Sequence, residues 1–522
     1  MKKFAALFLA LLLALGIVPA LADDSAPADY AAWFGGVDTS EHVVLTYLVT
    51  GDVPTNKTEA VLAVFNEKLT AAINAELKLQ WIEWADWQTE YNLALAMQDG
   101  SIDLIGTATD WLDAWPNSEK GAFLPLSEEM LQTYAPQTWA TVSADHWDKC
   151  KLNGQIFLIP EDNYAQWTNH GFLYRGDWAA AAGLESGVHS WEDLGVYFQY
   201  IKDNLQDVIP WDAAGSGSSY ADQMFGGWIA SKTGGVNIEG LPVPLFFGES
   251  KDNLYTLSTF FTEGDELVNF AKTMKAWSDA GYWREDVLNY TGDTTAEFEE
   301  GSTGAIQHHT QTWKGERYKM NTKQPGSEVG FFWFGEESDT LIALNITHGA
   351  MAVAAQSAHP ERALMAYDLI RNDETFYRMF NYGLEGEGNQ YVIDENGFMA
   401  RPSTYTEDAV DGAGFNYWWG RNDNLELRSA LVDWTAYDGL MDVYGAVKID
   451  YPYGKVVFNR DPISAELDNL SNVFRTYAPV ICFGKTDDPE AYVAEFRQAL
   501  KDAGIDKAMA EIQAQIDAVY AQ

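Results

Sequence analysis

Cysteine is scarce in this chain of 522 residues. Its two cysteines, Cys150 and Cys482, lie far apart in the sequence, so a disulfide framework does not organise the fold, and whether the two thiols pair stays open. Basic residues are also few, because 33 Lys and Arg stand against 77 Asp and Glu and leave a net charge of −44. A field of this sign makes nucleic acid and anionic lipid surfaces poor partners.

Long apolar runs are absent except at residues 4–18, which follow two lysines and precede a small-residue cleavage triplet ending at Ala22. We interpret residues 1–22 as a secretory signal peptide and residues 23–40 as an N-terminal linker. We therefore expect an exported protein, extracellular or periplasmic, that does not itself insert into a membrane. Asp23 stands where some exported proteins carry a lipid-anchoring cysteine, so the mode of surface retention is open.

Aromatic and apolar residues, by contrast, are plentiful. Apolar residues make up 47% of the chain and aromatic residues 14%, which is enough to build large hydrophobic cores. A chain of 522 residues exceeds one core, so we expect two lobes. The 20 tryptophans and 26 tyrosines are high counts. Aromatic faces that stack on a ligand would account for this excess, and an unusually aromatic core is the alternative.

An alternation of strand and helix patterns opens the folded region. A continuous apolar run indicates a strand buried on both faces, and apolar residues spaced three and four apart indicate the helix that covers it. Together these patterns predict an α/β fold with a mostly parallel sheet. The predicted order is strand 43–49, helix 57–76, strand 77–81, helix 84–98 and strand 101–106.

Two loops follow strands of this predicted sheet at the ends where α/β proteins bind ligands. Residues 50–56 follow the first strand and residues 107–115 follow the third. The second loop places Asp110 beside Trp111, with Trp115 close behind, and bulky aromatic residues have little packing reason to be in a loop. We therefore expect ligand binding here. The alternative is that these tryptophans only cover the rim of the sheet.

Two polar extended segments interrupt the α/β pattern, at residues 161–170 and 341–355, and we interpret both as crossings between lobes. Each predicted lobe is therefore assembled from two stretches of chain, and the second lobe includes a helical C-terminal region. The predicted stretches are 41–165 with 341–385 for the first lobe and 166–340 with 386–522 for the second.

Five stretches share the sequence pattern of one known family. Residues 79–103, 121–126 and 153–160 are similar to its first-lobe strands and first crossing. Residues 381–391 resemble a Tyr-Gly-x-Glu-Gly signature of one subfamily, and residues 458–473 resemble the domain of unknown function that ends that subfamily. The family is extracellular solute-binding protein family 1, the substrate-binding proteins of ABC importers that include maltose-binding protein. The resemblance spans most of the chain.

The resemblance implies a two-lobed fold of the type II periplasmic-binding-protein kind. Each lobe would be a mostly parallel sheet flanked by helices, and extended hinge segments would join the lobes. The implied function is that of an ABC importer substrate-binding protein, which captures an oligosaccharide between the lobes and delivers it to permease subunits. The resemblance also implies a monomer without catalytic residues, cofactor or bound metal. Which sugar, linkage and chain length it binds stays open.

Loops of this chain repeatedly pair aromatic residues with hydrogen-bonding ones, which suits a pyranose because a pyranose has an apolar face and polar edges. The resemblance places five ligand-binding residues, namely Asp110, Trp111, Tyr220, Trp313 and Trp419. Residue type and position along the chain add six more, namely Asn163, Tyr164, Trp167, Trp228, His309 and Glu385. The aromatic members would stack on sugar rings, and the acidic, amide and histidine members would bind hydroxyl groups.

Three other functions were weighed against sugar capture. A peptide-binding importer component would share the two-lobed architecture. A secreted glycoside hydrolase would need two carboxylates across a scissile bond, and 77 acidic residues could supply such a pair. A metal-binding protein is disfavoured because His308 and His309 adjoin without a further ligand at metal spacing, and because loop 421–424 lacks the spacing of a calcium loop.

Overall fold

The computed structural model describes residues 29–520 except 54–57, 85–86, 165–166, 168, 216–218 and 406–418. The interpreted signal peptide and the first part of the linker lie outside the described residues. So does most of the loop that precedes Trp419. Among the described helices, none is both long enough and apolar enough to cross a membrane.

The described residues form sixteen strands, many of them only two residues long. They are β1 Val43–Thr50, β2 Ala75–Ile82, β3 Leu104–Thr107, β4 Lys151–Leu152, β5 Gln155–Ile156, β6 His170–Tyr174, β7 Val236–Asn237, β8 Phe247–Ser250, β9 Asn253–Leu257, β10 Ala305–His309, β11 Gly330–Trp333, β12 Leu341–Ile342, β13 Ala350–Val353, β14 Val392–Ile393, β15 Met399–Ala400 and β16 Lys448–Ile449.

The same residues form nineteen α-helices and three short 3-10 turns, at Val287–Asn289, Glu336–Ser338 and Asp461–Ile463. The helices are α1 Tyr30–Trp33, α2 Thr58–Ile73, α3 Trp87–Met97, α4 Ala114–Glu119, α5 Glu128–Tyr134, α6 Pro136–Thr141, α7 Ala144–Lys149, α8 Gly176–Ala181, α9 Trp191–Asn204, α10 Ser219–Thr233, α11 Glu266–Ala280, α12 Thr294–Glu300, α13 Thr310–Lys323, α14 Pro360–Asn372, α15 Glu374–Tyr382, α16 Trp434–Val447, α17 Ser464–Cys482, α18 Pro489–Asp502 and α19 Ile505–Tyr520.

The first sheet has the strand order β13-β3-β1-β2, and β1 runs parallel to both of its neighbours. β13 closes the opposite edge and runs antiparallel to β3. Helix α2 covers this sheet with the buried side chains of Val61, Phe65, Leu69 and Ile73, because their spacing places them on one helical face. The predicted order of strands and helices in residues 43–106 is confirmed.

The second core contains a three-stranded sheet in which β6 lies between β10 and β11 and runs antiparallel to both. We expected a mostly parallel sheet in each lobe, so the strand direction differs here. The physical reason is that β6 leads away from the first crossing segment, whereas β10 and β11 run back towards it. The α/β class of the fold is confirmed.

Much of the aromatic excess fills this second core. Trp191 and Trp211 are both fully buried, and Trp191 stacks on Phe334 with ring centroids 5.4 Å apart and planes 7° apart. Phe172 of β6 meets the ring of Trp211 edge to face at 5.0 Å. The aromatic-rich core, which the sequence left as an alternative, therefore accounts for many of the tryptophans.

Three segments pass between the first core and the rest of the molecule. Residues 159–170 and 341–350 are the two that the sequence indicated. Residues 420–431 form a third, because Trp419 packs in the first core and Val432 packs with the third hydrophobic cluster, beside the second sheet. This segment has no periodic pattern, so the third crossing could not be predicted from the sequence. Strand β16 follows it and pairs in parallel with β12 of the second crossing.

The C-terminal helices α17, α18 and α19 pack on the second core, where they bury Leu467, Phe474 and Phe496. The segment that leads into these helices also contacts the first lobe, because Lys455 forms an ion pair of 2.7 Å with Asp145 of α7. The C-terminal region therefore contacts both lobes.

The two cysteines lie in different cores. Cys150 is buried in the first core and Cys482 in the second, and no disulfide joins these two described residues. Burial raises the pKa of the Cys150 thiol well above its usual value. Because the thiolate is the reactive form, Cys150 is chemically inert near neutral pH.

Candidate ligand-binding cleft

The loop after β3 presents an acidic and an aromatic side chain between the lobes. Oδ2 of Asp110 lies 2.6 Å from Nδ1 of His348, and the indole N–H of Trp111 donates to the backbone carbonyl of His348 at 3.2 Å. The hydroxyls of Thr109 and Thr347 are hydrogen-bonded at 2.7 Å. His348 and Thr347 belong to the second crossing segment, so this crossing fixes the whole loop in place.

Three indole rings form a row that runs from the interior of the first lobe to its surface, and we call Trp419, Trp111 and Trp84 the tryptophan row. The centroids of Trp419 and Trp111 are 6.3 Å apart with planes 24° apart, and those of Trp111 and Trp84 are 5.9 Å and 34° apart. Trp419 is fully buried, Trp111 is partly buried and Trp84 is 36% exposed. Rings at these spacings and inclinations form an offset stack that extends from the core to the exposed ring of Trp84.

The buried end of the row is anchored on the end of β3. Trp419 packs against Gly106, where an added Cβ would lie 2.6 Å from the indole ring, so no larger residue fits at position 106 without moving the ring. The indole N–H of Trp419 donates to the carbonyl of Thr107 at 3.0 Å. These contacts fix the ring beneath Trp111.

Asp110 of the first lobe and Glu239 of the second each have a buried side-chain oxygen without a hydrogen-bond partner among the described residues. Within the described part of the chain, Oδ1 of Asp110 and Oε2 of Glu239 are both buried and both lack one. Burial, together with the nearby charge of Asp110, raises the pKa of Glu239 well above its usual value. The N–H of Glu239 donates to the hydroxyl of Tyr451 at 2.8 Å, which holds Glu239 against the segment that follows β16. Hydroxyl groups of a ligand would supply the missing donors.

The second lobe contributes three histidines where β6 begins and β10 ends. The rings of His308 and His309 are 4.3 Å apart, and the ring of His170 lies 5.7 Å from that of His309. Burial lowers the pKa of all three, to about 4 for His309, where nearby His308 and His348 lower it further. These rings are therefore neutral near pH 7. No group of His, Cys, Asp or Glu among the described residues has the arrangement of a metal site.

Acidification from about pH 7 to pH 5 is expected to destabilise the second lobe through these histidines. The folded protein keeps the three rings neutral, whereas the unfolded chain binds protons with the ordinary pKa of 6.5. Their contribution to stability is fully present above that pKa and is lost as the pH falls towards the folded pKa of His309, about 4. Thermal unfolding across this pH range measures the effect.

His309→Asn is the matched variant for this pH dependence. Nδ1 of His309 caps helix α13 by accepting the N–H of Thr312 at 3.2 Å, and the asparagine side-chain oxygen can take over that cap. The variant should therefore lose less stability on acidification than the wild type. Identical profiles for His309→Asn and the wild type would contradict the prediction.

An ionic cluster lies beside the first crossing. Arg421 pairs with Glu426 at 2.6 Å, and its guanidinium lies over the ring of Tyr164, 5.0 Å from the ring centroid. Glu161 accepts the backbone N–H of Arg421 at 2.8 Å, and burial raises the pKa of Glu161 to about 8. The chain just after Trp419 is thereby fixed to the first crossing.

Three cavities surround the crossing segments, with volumes of about 320, 300 and 240 Å³. Tyr451 lines all three, and Asn345 lines the two larger ones. Glu239 lines the cavities of 320 and 240 Å³. Trp167 lines those of 300 and 240 Å³, and His348 lines the cavity of 300 Å³. Glu239, Trp167 and His348 therefore border the same region, and Asp110 and Trp111 adjoin it through their hydrogen bonds to His348.

The structure brings seven of the eleven predicted ligand-binding residues to this region. Some border the cleft directly, whereas Trp419 supports Trp111 from behind and Asn163 binds Asn422 at 2.7 Å on the exposed side of the first crossing. The seven residues are Asp110, Trp111, Asn163, Tyr164, Trp167, His309 and Trp419.

The other four predicted residues lie elsewhere or cannot be placed. Trp228 and Trp313 are both 5% exposed, Trp228 in the second core and Trp313 in a third hydrophobic cluster, where its N–H donates to the carbonyl of Val329 at 2.9 Å. Glu385 is exposed in the loop after α15. Tyr220 belongs to α10, but its side chain lies outside the described residues. Their roles in ligand binding stay predictions.

Three residues of the cleft were not identified from the sequence. His348 belongs to a segment recognised as a crossing, and its neighbours Thr347 and Asn345 were the available indication of a polar site. Trp84 was assigned to the apolar stripe of a helix, whereas α3 begins only at Trp87. Glu239 lies between the short strands β7 and β8, and its neighbours in the sequence have no periodic pattern or motif that indicates a ligand-binding residue.

Fold and cleft together define a two-lobed α/β architecture, and several solved solute-binding proteins have a similar fold. The chain is similar to the N-glycan transport solute-binding protein NgtS from Streptococcus pneumoniae, with 18% identity, a TM-score of 0.70, and coverage of 91% of this chain and 98% of that one. It is also similar to a human-milk-oligosaccharide-binding protein from Bifidobacterium longum infantis, with 17% identity, a TM-score of 0.64 and coverage of 91% and 99%. These likenesses confirm the two-lobed fold.

The C-terminal region matches a described family of its own. Residues 452–521 match the domain of unknown function DUF3502, which agrees with the subfamily that the sequence resembled. A further similar structure is the alginate-binding protein AlgQ2, with 14% identity, a TM-score of 0.64 and coverage of 91% of this chain and 98% of that one. No curated protein matches the sequence.

Proposed function

We propose that this protein is the exported substrate-binding component of an ABC importer and captures an oligosaccharide between its two lobes. The observation that carries the proposal is the pairing of Trp111 with Asp110, whose buried Oδ1 lacks a partner among the described residues. Glu239 adds a second such oxygen from the opposite lobe. A pyranose is complementary to this arrangement, because its apolar face stacks on an indole while its hydroxyls donate to carboxylates.

The similar structures support the oligosaccharide class. The pneumococcal NgtS structures include complexes with Man1GlcNAc and Man5GlcNAc, and the pneumococcal protein FusA is in complex with kestose. One fold therefore serves oligosaccharides of different composition, which leaves the choice of sugar to the side chains of the cleft. Delivery to permease subunits and action as a monomer belong to the same proposal.

One observation favours a second candidate, a secreted glycoside hydrolase. Glu239 has a raised pKa and lies near Asp110 of the other lobe, and glycoside hydrolysis uses two carboxyl groups, one of them with a raised pKa. Importer capture is favoured because Asp110 is already held by His348, and because the similar structures are binding proteins.

Thermal unfolding with a panel of manno-, fructo- and milk oligosaccharides and short peptides tests the proposal. A ligand at about one hundred times its Kd stabilises the folded protein by about 2.7 kcal/mol. Stabilisation by one oligosaccharide class, without release of reducing sugar, is the expected result. Stabilisation by peptides alone would show that the ligand is a peptide and not an oligosaccharide. Release of sugar by the wild type, lost in both Asp110→Asn and Glu239→Gln, would show that the protein is a hydrolase. The absence of stabilisation by any probe would contradict the proposal.

A further inference from the structure

An exposed aromatic patch lies at the carboxyl ends of β1 and β2, beside the proposed site. Trp84 follows β2 directly and is 36% exposed, and Val53, in the loop after β1, is 43% exposed. The two loops are joined, because the backbone N–H of Trp84 donates to Oδ1 of Asp52 at 3.2 Å. An exposed indole beside an exposed carboxylate has the two groups that a sugar ring requires.

The patch continues the site at Trp111. The strand order β3-β1-β2 places the ends of β3 and β2 two strand spacings apart, roughly 10 Å. Across this span the rings of Trp111 and Trp84 are 5.9 Å apart and inclined by only 34°. Trp87 packs edge-on against both rings and supports them. A ligand bound on Trp111 therefore meets Trp84 when it extends along this edge of the sheet.

We propose that Trp84 and Asp52 form an outer subsite for a second sugar unit of an oligosaccharide whose first unit lies on Trp111. This inference rests on the proposed function. The apolar face of the second unit stacks on Trp84, and a hydroxyl of that unit donates to Asp52. A carboxylate has several acceptor positions, so Asp52 also keeps the N–H of Trp84. The ligand is then a chain of at least two units rather than a monosaccharide.

Charge and continuity identify a sugar as the occupant of this patch. Glu83 precedes Trp84 in the chain and Asp52 accepts its backbone N–H, and both carboxylates are exposed. In a chain of net charge −44 they disfavour an anionic lipid surface. Uncharged sugar hydroxyls bind carboxylates without such repulsion. Contact of Trp84 with Trp111 makes the patch part of the same surface as the cleft.

Isothermal titration of a chain-length series against wild-type protein and Trp84→Ala tests the subsite. The probes are mono- to pentasaccharides of the manno-, fructo- and milk-oligosaccharide types, with Man1GlcNAc and Man5GlcNAc among them. For the wild type, affinity should rise from one unit to two. In Trp84→Ala the affinity for two or more units should fall roughly five- to thirty-fold more than the affinity for one unit. Trp84→Phe should keep most of the gain.

Tyr318→Ala is the matched control, because Tyr318 is 37% exposed on α13, away from the tryptophan row. It should bind every probe like the wild type. Equal affinities of Trp84→Ala and the wild type at every chain length would overturn the outer subsite. So would an equal loss at every length, because Trp84 would then belong to the central site. Failure of the wild type to bind any probe would refute the proposed function itself, and the subsite with it.

Discussion

Trp111→Ala is expected to weaken oligosaccharide binding by about 1–3 kcal/mol, or roughly five- to 150-fold in Kd. Trp111 lies at the centre of the tryptophan row, between the buried ring of Trp419 and the exposed ring of Trp84, so its removal deletes the stacking surface beside Asp110. The protein should stay folded, because Trp111 is only partly buried. Titration with the oligosaccharide found by thermal unfolding measures the loss.

Trp111→Phe is the control for the chemistry of this ring. It keeps an aromatic face but loses the N–H that donates to the carbonyl of His348 at 3.2 Å. Its loss of affinity should therefore lie at the low end of the range for Trp111→Ala. Wild-type affinity in Trp111→Ala would show that the ligand binds elsewhere than in this cleft.

Trp313→Ala tests whether a second predicted ligand-binding residue contributes to ligand binding or only to folding. The sequence predicts weaker binding for this variant as well. In the structure the ring is 5% exposed and stacks on Phe331 with centroids 6.1 Å apart, so we also expect a loss of stability, about 3–5 kcal/mol. Titration of the fraction that remains folded decides whether Trp313 contacts the ligand in addition.

Arg371→Met is expected to lower the free energy of unfolding of the first lobe by about 3–5 kcal/mol. Arg371 of α14 is 1% exposed, and its guanidinium bonds Asp162 at 2.6 Å and the carbonyl of Pro160 at 2.5 Å. Methionine replaces part of the volume but leaves the buried carboxylate of Asp162 with His146 as its remaining side-chain partner, at 2.7 Å. Because a two-lobed protein can unfold in two steps, urea unfolding should be followed for each transition.

Two further variants control this measurement. Asp162→Asn added to Arg371→Met should recover part of the stability, because it removes the unpaired charge. Lys272→Ala breaks the exposed pair between Lys272 and Glu490, 2.9 Å apart, and should cost less than about 1 kcal/mol. An equally small cost for Arg371→Met would show that the buried pair does not secure the first crossing.

Local patterns predicted the first lobe well. The apolar run 43–49 lies within β1, and the helical spacing from residue 57 matches α2, because both patterns reflect which face of a single element is buried. The loop that carries Asp110 could be predicted for the same reason, since it begins where β3 ends. Antiparallel pairing in the second sheet could not, because strand direction depends on how distant segments return to the core.

The partners of the candidate site were beyond the reach of local patterns. His348 lies 238 residues after Asp110, and Glu239 reaches Asp110 from the other lobe. Trp228 and Trp84 are both tryptophans, and nothing in their local sequence distinguishes a buried ring from an exposed one. Only packing makes the first 5% exposed and the second 36% exposed.

The sequence by itself determined the α/β class, the order of elements in the first lobe, the first two crossings and the loop that holds Asp110 and Trp111. These features follow from side-chain periodicity and turn chemistry, which act over a few residues. Only the tertiary structure decided the third crossing, the row from Trp419 to Trp84 and the meeting of Asp110 with Glu239. Such features depend on contacts between residues far apart in the chain, which no local pattern encodes.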